Sequence, residues 1–444
     1  MVDSGIGRRL AAPFAVDRRV LALSFAQLAE GIGNSFLVIV LPLYVASGTV
    51  GGTDFGLSES MIIGTVLSLY GLLNSSFQPF TGNLSDRFGR RKPFILIGLT
   101  GLTITNVAYL FAESYLALVV VRGLQGVSVA FIVPTALALV NELATAGDRG
   151  GNMGVYNTFR LVGFGAGPVL AGAVVNAGPY ALPGLEVVTG AEAGAAVAVT
   201  GFEAAFYVAA VASSVSFLMV TVLITDPEST RANAAADLSI AIRDPTGRTL
   251  LDPIFTLGVS TFFLATAIAL FATIQPQVNA HLEQDSTWFG LQFAAFILAQ
   301  VFLQTPVGRA CDRYGRRPFI LAGMALLIPT TLAQGFVATS EAMFLVRLFQ
   351  GVAGAMAFAP SLALAGDLAG EAESGTKLAV LTMAFGFGLA FGPLSSGALV
   401  GYGFQAPFVF GAVLAVFGTV LVYTQVEETL ETPSPVPLPF VGDD

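Results

Sequence analysis

Gly82-Asn83-Leu84-Ser85-Asp86-Arg87-Phe88-Gly89-Arg90-Arg91 is a stretch that this chain carries twice. It returns as Gly308-Arg309-Ala310-Cys311-Asp312-Arg313-Tyr314-Gly315-Arg316-Arg317, 226 residues on (308 − 82 = 226), and both copies run into Pro-Phe and an apolar segment. The flanks repeat as well. Asn74 and Gln78 return as Gln300 and Gln304 at the same spacing. Arg122-x-x-Gln125-Gly126 returns as Arg347-x-x-Gln350-Gly351, 225 residues on (347 − 122 = 225). Gly163-x-x-x-Gly167-Pro168 with Gly172 returns as Gly388-x-x-x-Gly392-Pro393 with Gly397, again at 225 (388 − 163 = 225). A repeat this long is a duplicated domain rather than a solenoid unit, and a half of about six membrane helices fits it.

Composition sets the solvent. The chain is 55% hydrophobic and 11% charged over 444 residues, with mean hydropathy +0.77. Soluble domains carry roughly 25% charged residues, so this composition belongs in lipid. About twelve apolar stretches each approach the ~20 residues that carry a helix across ~30 Å of hydrocarbon. The first six cover 19–45, 60–80, 93–112, 115–139, 152–176 and 203–224. The second six cover 254–279, 288–307, 318–337, 341–364, 376–400 and 406–425. A transmembrane β-barrel needs ~10-residue alternating segments instead. The expected fold is therefore all-α, with twelve transmembrane helices in two pseudo-symmetric six-helix bundles. The first bundle is expected over 1–225, a polar connector with a short surface helix over 226–252, and the second bundle over 253–430. A proline-dense, disordered tail is expected over 431–444.

Arg8, Arg9, Arg18 and Arg19 precede the first apolar run, which lacks a small-residue cleavage site and reads as a retained span. Cys311 is the sole cysteine, which excludes an internal disulfide framework and a multi-cysteine metal site. The single histidine, His281, is expected in a solvated loop beside Glu283. These residues supply no catalytic constellation, so neither an enzyme nor a cofactor is expected. The net charge of −9 is not that of a nucleic-acid partner. Small molecules, protons and the bilayer are the expected partners, for a monomer. Lys92 and Lys377 are the only lysines, and this acidic, lysine-poor make-up resembles proteins of salt-loving archaea.

Charge also orients the chain. Its bases fall in the amino-terminal tail, in the links after even-numbered spans, or within spans at Arg122, Arg160 and Arg347. The positive-inside rule then places both termini and both charged links on the cytoplasmic side of a multi-pass cell-membrane protein. The other side carries acids, among them Asp54, Glu59, Glu186, Glu192, Glu283 and Asp285. Its longest link, 177–202, offers Val187-Val188 and Val197-Ala198-Val199 for a small hairpin.

With these motifs the chain resembles the major facilitator superfamily of secondary transporters, over essentially its whole length. Both copies of Gly-x-x-x-Asp-Arg-x-Gly-Arg-Arg match that family's loop between the second and third helices of each bundle. The doubled Arg-x-x-Gln-Gly of spans 4 and 10 is a second match. Gly163-x-x-x-Gly167-Pro168 with Ala171-Gly172 looks like the fifth-helix motif of drug:proton antiporters, although its second copy also suits a generic packing device. Glu142 and Arg149 resemble the Glu-x6-Arg pair of sugar-type members, but the matching place after span 10 holds Asp367, Glu371 and Glu373 without an arginine. The resemblance implies two bundles rocking about a central cavity, with proton-coupled efflux of small apolar or amphipathic organic compounds. Uptake of a small metabolite anion and a non-transporting membrane sensor are the alternatives.

The charged loop has its own physics. Gly82 and Gly308 are expected to let the chain leave its helix, and Gly89 and Gly315 to turn it back. Asp86 and Asp312 are expected to latch onto the positive amino end of a helix in the opposite bundle. The targets are the starts of spans 11 (Ser374-Gly375-Thr376) and 5 (Gly150-Gly151-Asn152). Arg87, Arg90, Arg91, Arg313, Arg316 and Arg317 complete the two latches, and Glu142 is expected to pair with Arg87 or Arg90.

Three ionisable residues of the first half lie within spans: Glu30, Arg122 and Arg160. Each costs at least ~2.5–3.5 kcal/mol at mid-bilayer if unpaired, which makes each a functional candidate. Glu30 lies between Gln27 and Asn34 at helical spacing, and suits a group that takes and releases a coupling proton. Arg122 sits two turns into its span, where snorkelling is open to it. Arg160 has no copy, since Phe385 stands there, and is the better candidate for a substrate or counter-ion contact. Gln27, Asn34, Asn74, Gln78, Gln300 and Gln304 are further candidates to line the pathway.

Overall fold

The computed structural model describes residues 17–53, 56–143, 149–182, 197–227, 241–244, 247–368 and 374–430. Readings that fall on the first sixteen residues, the tail, Asp54, Val187-Val188, Glu186, Glu192, Glu371, Glu373 or most of the connector lie outside them. Among the described residues there are thirteen helices. The first half holds α1 (Arg18–Ala46), α2 (Glu59–Phe88), α3 (Lys92–Ala108), α4 (Tyr115–Leu143), α5 (Arg149–Ala177) and α6 (Gly201–Leu223). The second holds α7 (Pro253–Thr273), α8 (Gln275–His281), α9 (Ser286–Tyr314), α10 (Arg317–Ala333), α11 (Ser340–Leu368), α12 (Ser374–Leu399) and α13 (Ala406–Gln425).

Among the described residues, eleven helices are long and apolar enough to cross a membrane. The expected ninth span is α10, with 17 residues. Its counterpart α3 also has 17, but a 3₁₀ turn at Tyr109–Phe111 lengthens it. The expected seventh span breaks in two at Ile274. Pro276 lies in the first turn of α8, where a missing N–H is tolerated, whereas inside a continuous helix it would remove a hydrogen bond. His281 consequently ends a helix instead of lying in a loop. The outer hairpin pairs Val197–Val199 with Tyr180–Leu182.

Packing follows the duplication. In the first half α1 contacts α5 and α6, α3 contacts α4 and α6, and α2 contacts α4. In the second half α7 contacts α12 and α13, α10 contacts α11 and α13, and α9 contacts α11. Two seams join the halves, α2 with α12 and α5 with α9, and they are equivalent under the repeat. Large apolar side chains such as Ile104, Phe111, Val222, Phe302 and Phe417 face outward, as a lipid-facing surface requires.

The basic end of the molecule carries the two arginine loops. At the opposite end one apolar cluster takes residues from both halves, including Phe36, Leu41, Ile63, Phe271, Phe289 and Phe408. Towards the basic end there are two clusters, around Leu139 and Tyr156 in the first half and around Leu364 and Leu381 in the second. Among the described residues the fully buried cores of the two halves merge at that opposite end, while towards the basic end only Leu161 of α5 packs onto the second half's cluster.

Candidate functional site: a polar core and two glycine seams

In α1, residues 27, 30 and 34 recur at helical spacing, and all three side chains are buried. Gln27 donates from Nε2 to Glu30 Oε2 in a short hydrogen bond. From α5, the buried Tyr156 hydroxyl donates to Gln27 Oε1 at 2.6 Å. Asn34 turns to α2 instead, donating to the Tyr70 hydroxyl. The Tyr70 ring lies under the Arg122 guanidinium, 4.4 Å from its centroid. Arg122 is 2% exposed and donates to Gln125 Oε1 at 2.8 Å, so it belongs to the interior and does not snorkel. Gln125 in turn accepts from Tyr109 and donates to Asn106. Two polar chains thus run within the first bundle, one through Tyr156, Gln27 and Glu30 and one through Asn34, Tyr70, Arg122 and Gln125.

The second bundle repeats only a fragment of it. Arg347 donates to Gln350, and Gln350 donates to Thr331 Oγ1 at 3.1 Å. Leu264 stands where Glu30 would be, and Phe296 where Tyr70 would be. Arg347 rests on the rings of Phe271 and Phe296 at 4.4 and 4.9 Å. Among the described residues no ion pair joins Glu30, Arg122, Arg160 or Arg347 to an opposite charge.

Arg160 is half-buried and donates from Nε and Nη2 to Asn157 Oδ1 at 3.2 and 3.0 Å. Asn157 donates across the seam to Gln304 Oε1 at 3.2 Å. Arg160 lies on α5 between the face that packs on α1 and the face that packs on α9. Gln78 donates to Asn74 within α2, and Gln300 lies against Gly354 of α11.

The glycine motifs divide their work. A Cβ at Gly163 would stand 2.6 Å from the Leu28 carbonyl oxygen of α1, and Gly167 meets the next turn of that helix. Gly388 and Gly392 pack in the same way on Phe262 and Thr266 of α7. Gly172 and Gly397, by contrast, face across the seams, onto the backbones of Ser286 and Ser60. One turn deeper, Gly290 meets the Pro168 carbonyl and Gly64 meets the Pro393 carbonyl. Small residues let backbones approach in lipid, so these four contacts close the end opposite the arginine loops. Gln277 donating to Ser60 and Asn176 donating to Thr287 add hydrogen bonds there, at 2.8 and 2.9 Å. Ser60 with Gly64 and Ser286 with Gly290 form a further repeated pair that belongs to none of the motifs above. Their spacing of 226 (286 − 60 = 226) was the available signal.

Two copies of the family model described as Major Facilitator Superfamily match, over residues 23–263 and 257–441. The chain belongs to the Major Facilitator Superfamily. It is 25% identical over 178 residues to multidrug resistance protein 2 of Bacillus subtilis, which is 40% of this chain and 44% of that protein. It is 23% identical over 301 residues to the class B tetracycline resistance protein of Escherichia coli, 67% of each chain. This chain thus spans less than half of the first relative and about two thirds of the second. In fold it is similar to a bacterial homologue of the human lysosomal transporter Spinster, solved inward-facing and occupied, with TM-score 0.75, 13% identity and coverage of 91% and 95%.

As a Major Facilitator Superfamily protein the chain is a multi-pass membrane protein, and its signature loops differ from expectation in three respects. Gly82 and Gly308 lie inside α2 and α9, which run on to Phe88 and Tyr314. The turn falls to Gly89 and Gly315, whose φ of 64° and 97° suit glycine. Asp86 binds Arg91 of its own bundle. Glu142 also binds Arg91, at 2.7 Å, and not Arg87 or Arg90. Burial pulls the Arg91 pKa down, but its hydrogen bonds to the Glu142 and Asp86 carboxylates outweigh it and leave it above the usual arginine value. The second copy pairs Arg316 with Asp312 and Asp367, so Asp312 too stays within its own half. Asp226 caps the backbone of Arg91 and Lys92, as Glu428 caps Arg317. The side chain of Arg149 and those at the start of α12 lie outside the described residues.

Proposed function

We propose that this secondary transporter exports small apolar or amphipathic organic molecules in exchange for protons, with Glu30 as the coupling site. The observation that carries the reading is a carboxyl 5% exposed inside α1, hydrogen-bonded to Gln27 and answered by leucine in the other half. A group so placed is costly unless used, and its change of charge biases which conformation the bundles favour. The matched multidrug and tetracycline resistance proteins support the same class of cargo. In this reading the arginine loops and both termini face the cytoplasm, and the glycine seams close the outer end. Asp86 and Asp312 then exchange their partners for the opposite bundle's helix ends when the inner side shuts. Counter-transport in everted vesicles, run over a compound panel with and without a pH gradient, tests the proposal. Drug accumulation driven by an acid interior supports it, and gradient-independent movement of every compound contradicts it.

A second reading, uptake of a small metabolite anion, draws on Arg160. Its guanidinium hydrogen-bonds to an amide oxygen and is free to take an anionic group. Protein that accumulates organic anions inward with protons would favour that reading.

A further inference from the structure

The three groups Tyr156, Gln27 and Glu30 form a chain whose direction is set at its far end. The Tyr156 ring belongs to an apolar cluster with Val20, Leu23, Leu139 and Val220. Its hydroxyl donates to Gln27 Oε1, and the structure gives it no second partner among the described residues. That bond turns the other end of the amide, Nε2, towards the Glu30 carboxylate. An N–H donor suits the ionised carboxylate, which is acceptor-only. A protonated Glu30 is a weaker acceptor for that N–H, and its own O–H could bond to Gln27 only after a flip of the amide. The flip would aim the amide N–H at the Tyr156 oxygen and leave the tyrosine proton in an apolar cluster without an acceptor, which is costly.

We propose that Tyr156 is a positioning residue that locks the Gln27 amide in the orientation favouring ionised Glu30, so that the Tyr156–Gln27 bond opposes proton loading. The inference rests on the reading of Glu30 as the proton site. It also ties that proton to α5, the helix that carries the cross-bundle contacts at Asn157, Pro168 and Gly172. Charged or titratable groups also lie on the other elements packed against α1, His281 at the end of α8 and Asp252 at the cap of α7 among them. Arg160 of α5 attracts Glu30, and Tyr70 of α2 lies within reach of both Glu30 and Arg122 of α4. On α6, Glu203 lies in the first turn and Tyr207 one turn on, at the opposite end of the molecule. None of these is removed by a change at Tyr156.

The test is pH-titrated infrared difference spectroscopy on purified, lipid-reconstituted protein, following the protonated-carboxyl stretch that Glu30→Gln abolishes. Tyr156→Phe removes one oxygen and keeps the ring in its cluster. It should move the midpoint of that band to higher pH by about half to one unit, the size expected for a lost orienting hydrogen bond to a charged group. Gln27→Leu should move it in the same direction, and adding Tyr156→Phe to Gln27→Leu should move it no further. A Tyr156→Phe midpoint equal to that of the unaltered protein overturns the lock. So does an additive effect in the double variant, which also decides the matter if the single Phe variant proves unstable. If no band responds to Glu30→Gln at any pH, the proton-site reading itself fails, and this inference with it.

Discussion

Gly290 of α9 meets the backbone carbonyl of Pro168 on α5 with no room for a side chain, and Gly64 and Pro393 repeat the contact on the opposite seam. Overpacking such a contact costs about 1–3 kcal/mol, enough to shift a two-state equilibrium roughly tenfold. Gly290→Leu should therefore open that end. In a Cys311→Ser background, a cysteine replacing Ile297, which packs beside Gly165, should react at least several-fold faster with an impermeant thiol reagent once Gly290→Leu is added. Equal labelling with and without the leucine would count against the seam as a gate.

Arg91 and Glu142 are 3% and 8% exposed, so their ion pair is a buried one. Removing one partner of such a pair typically costs about 3–5 kcal/mol, because the other charge is stranded. Glu142→Gln should lower the melting temperature markedly, and Arg91→Met with Glu142→Leu should recover much of it. Asp86, 27% exposed, is less committed to that pair. Asp86→Asn should leave melting within a few degrees and still cut transport strongly. Purified Asp86→Asn with full turnover would reduce the loop to a topology signal.

The duplicated arginines should not be equivalent. Arg122 stacks on Tyr70 within the network that reaches Asn34, whereas Arg347 sits on phenylalanines. Arg122→Leu should abolish the pH dependence of transport. Arg347→Leu should keep the pH profile and leave stability unchanged or raised, since a buried charge without an ionic partner is costly. Matching pH profiles for the two variants would show that the halves share the coupling task.

Arg160→Ala should change the substrate range more than the amount of folded protein, most of all for compounds bearing a negative charge. The check is a transport panel of neutral, cationic and anionic analogues at equal protein levels. An unchanged ranking of the three classes would remove Arg160 from the pathway.

The fold was legible because its signals are long. Apolar segments of about twenty residues, a repeated loop and an asymmetric distribution of arginine each extend over many residues, and they agree. The seams were legible only in part. Gly172 and Gly397 were visible as members of a motif, but which helix each one faces depends on the azimuth of two helices, which no single-helix pattern contains. The same is true of Arg91. Three arginines lie within five residues of Asp86, at 87, 90 and 91. The one that binds is chosen by where Gly89 turns the chain relative to Glu142, 51 residues further on. Glu30, Gln27 and Asn34 share a helix face, yet they part company in space. Gln27 serves Glu30 and Tyr156, whereas Asn34 serves Tyr70.

The most direct test of the proposed coupling is transport by Glu30→Gln in proteoliposomes, measured as uphill movement driven by a pH gradient and as downhill exchange without one. A neutral amide in place of the carboxyl can neither load nor release a proton, while the seams and the remaining network stay in place. The variant should lose gradient-driven accumulation and retain a substantial part of downhill exchange. Accumulation by Glu30→Gln at the level of the unaltered protein would contradict the coupling role of Glu30.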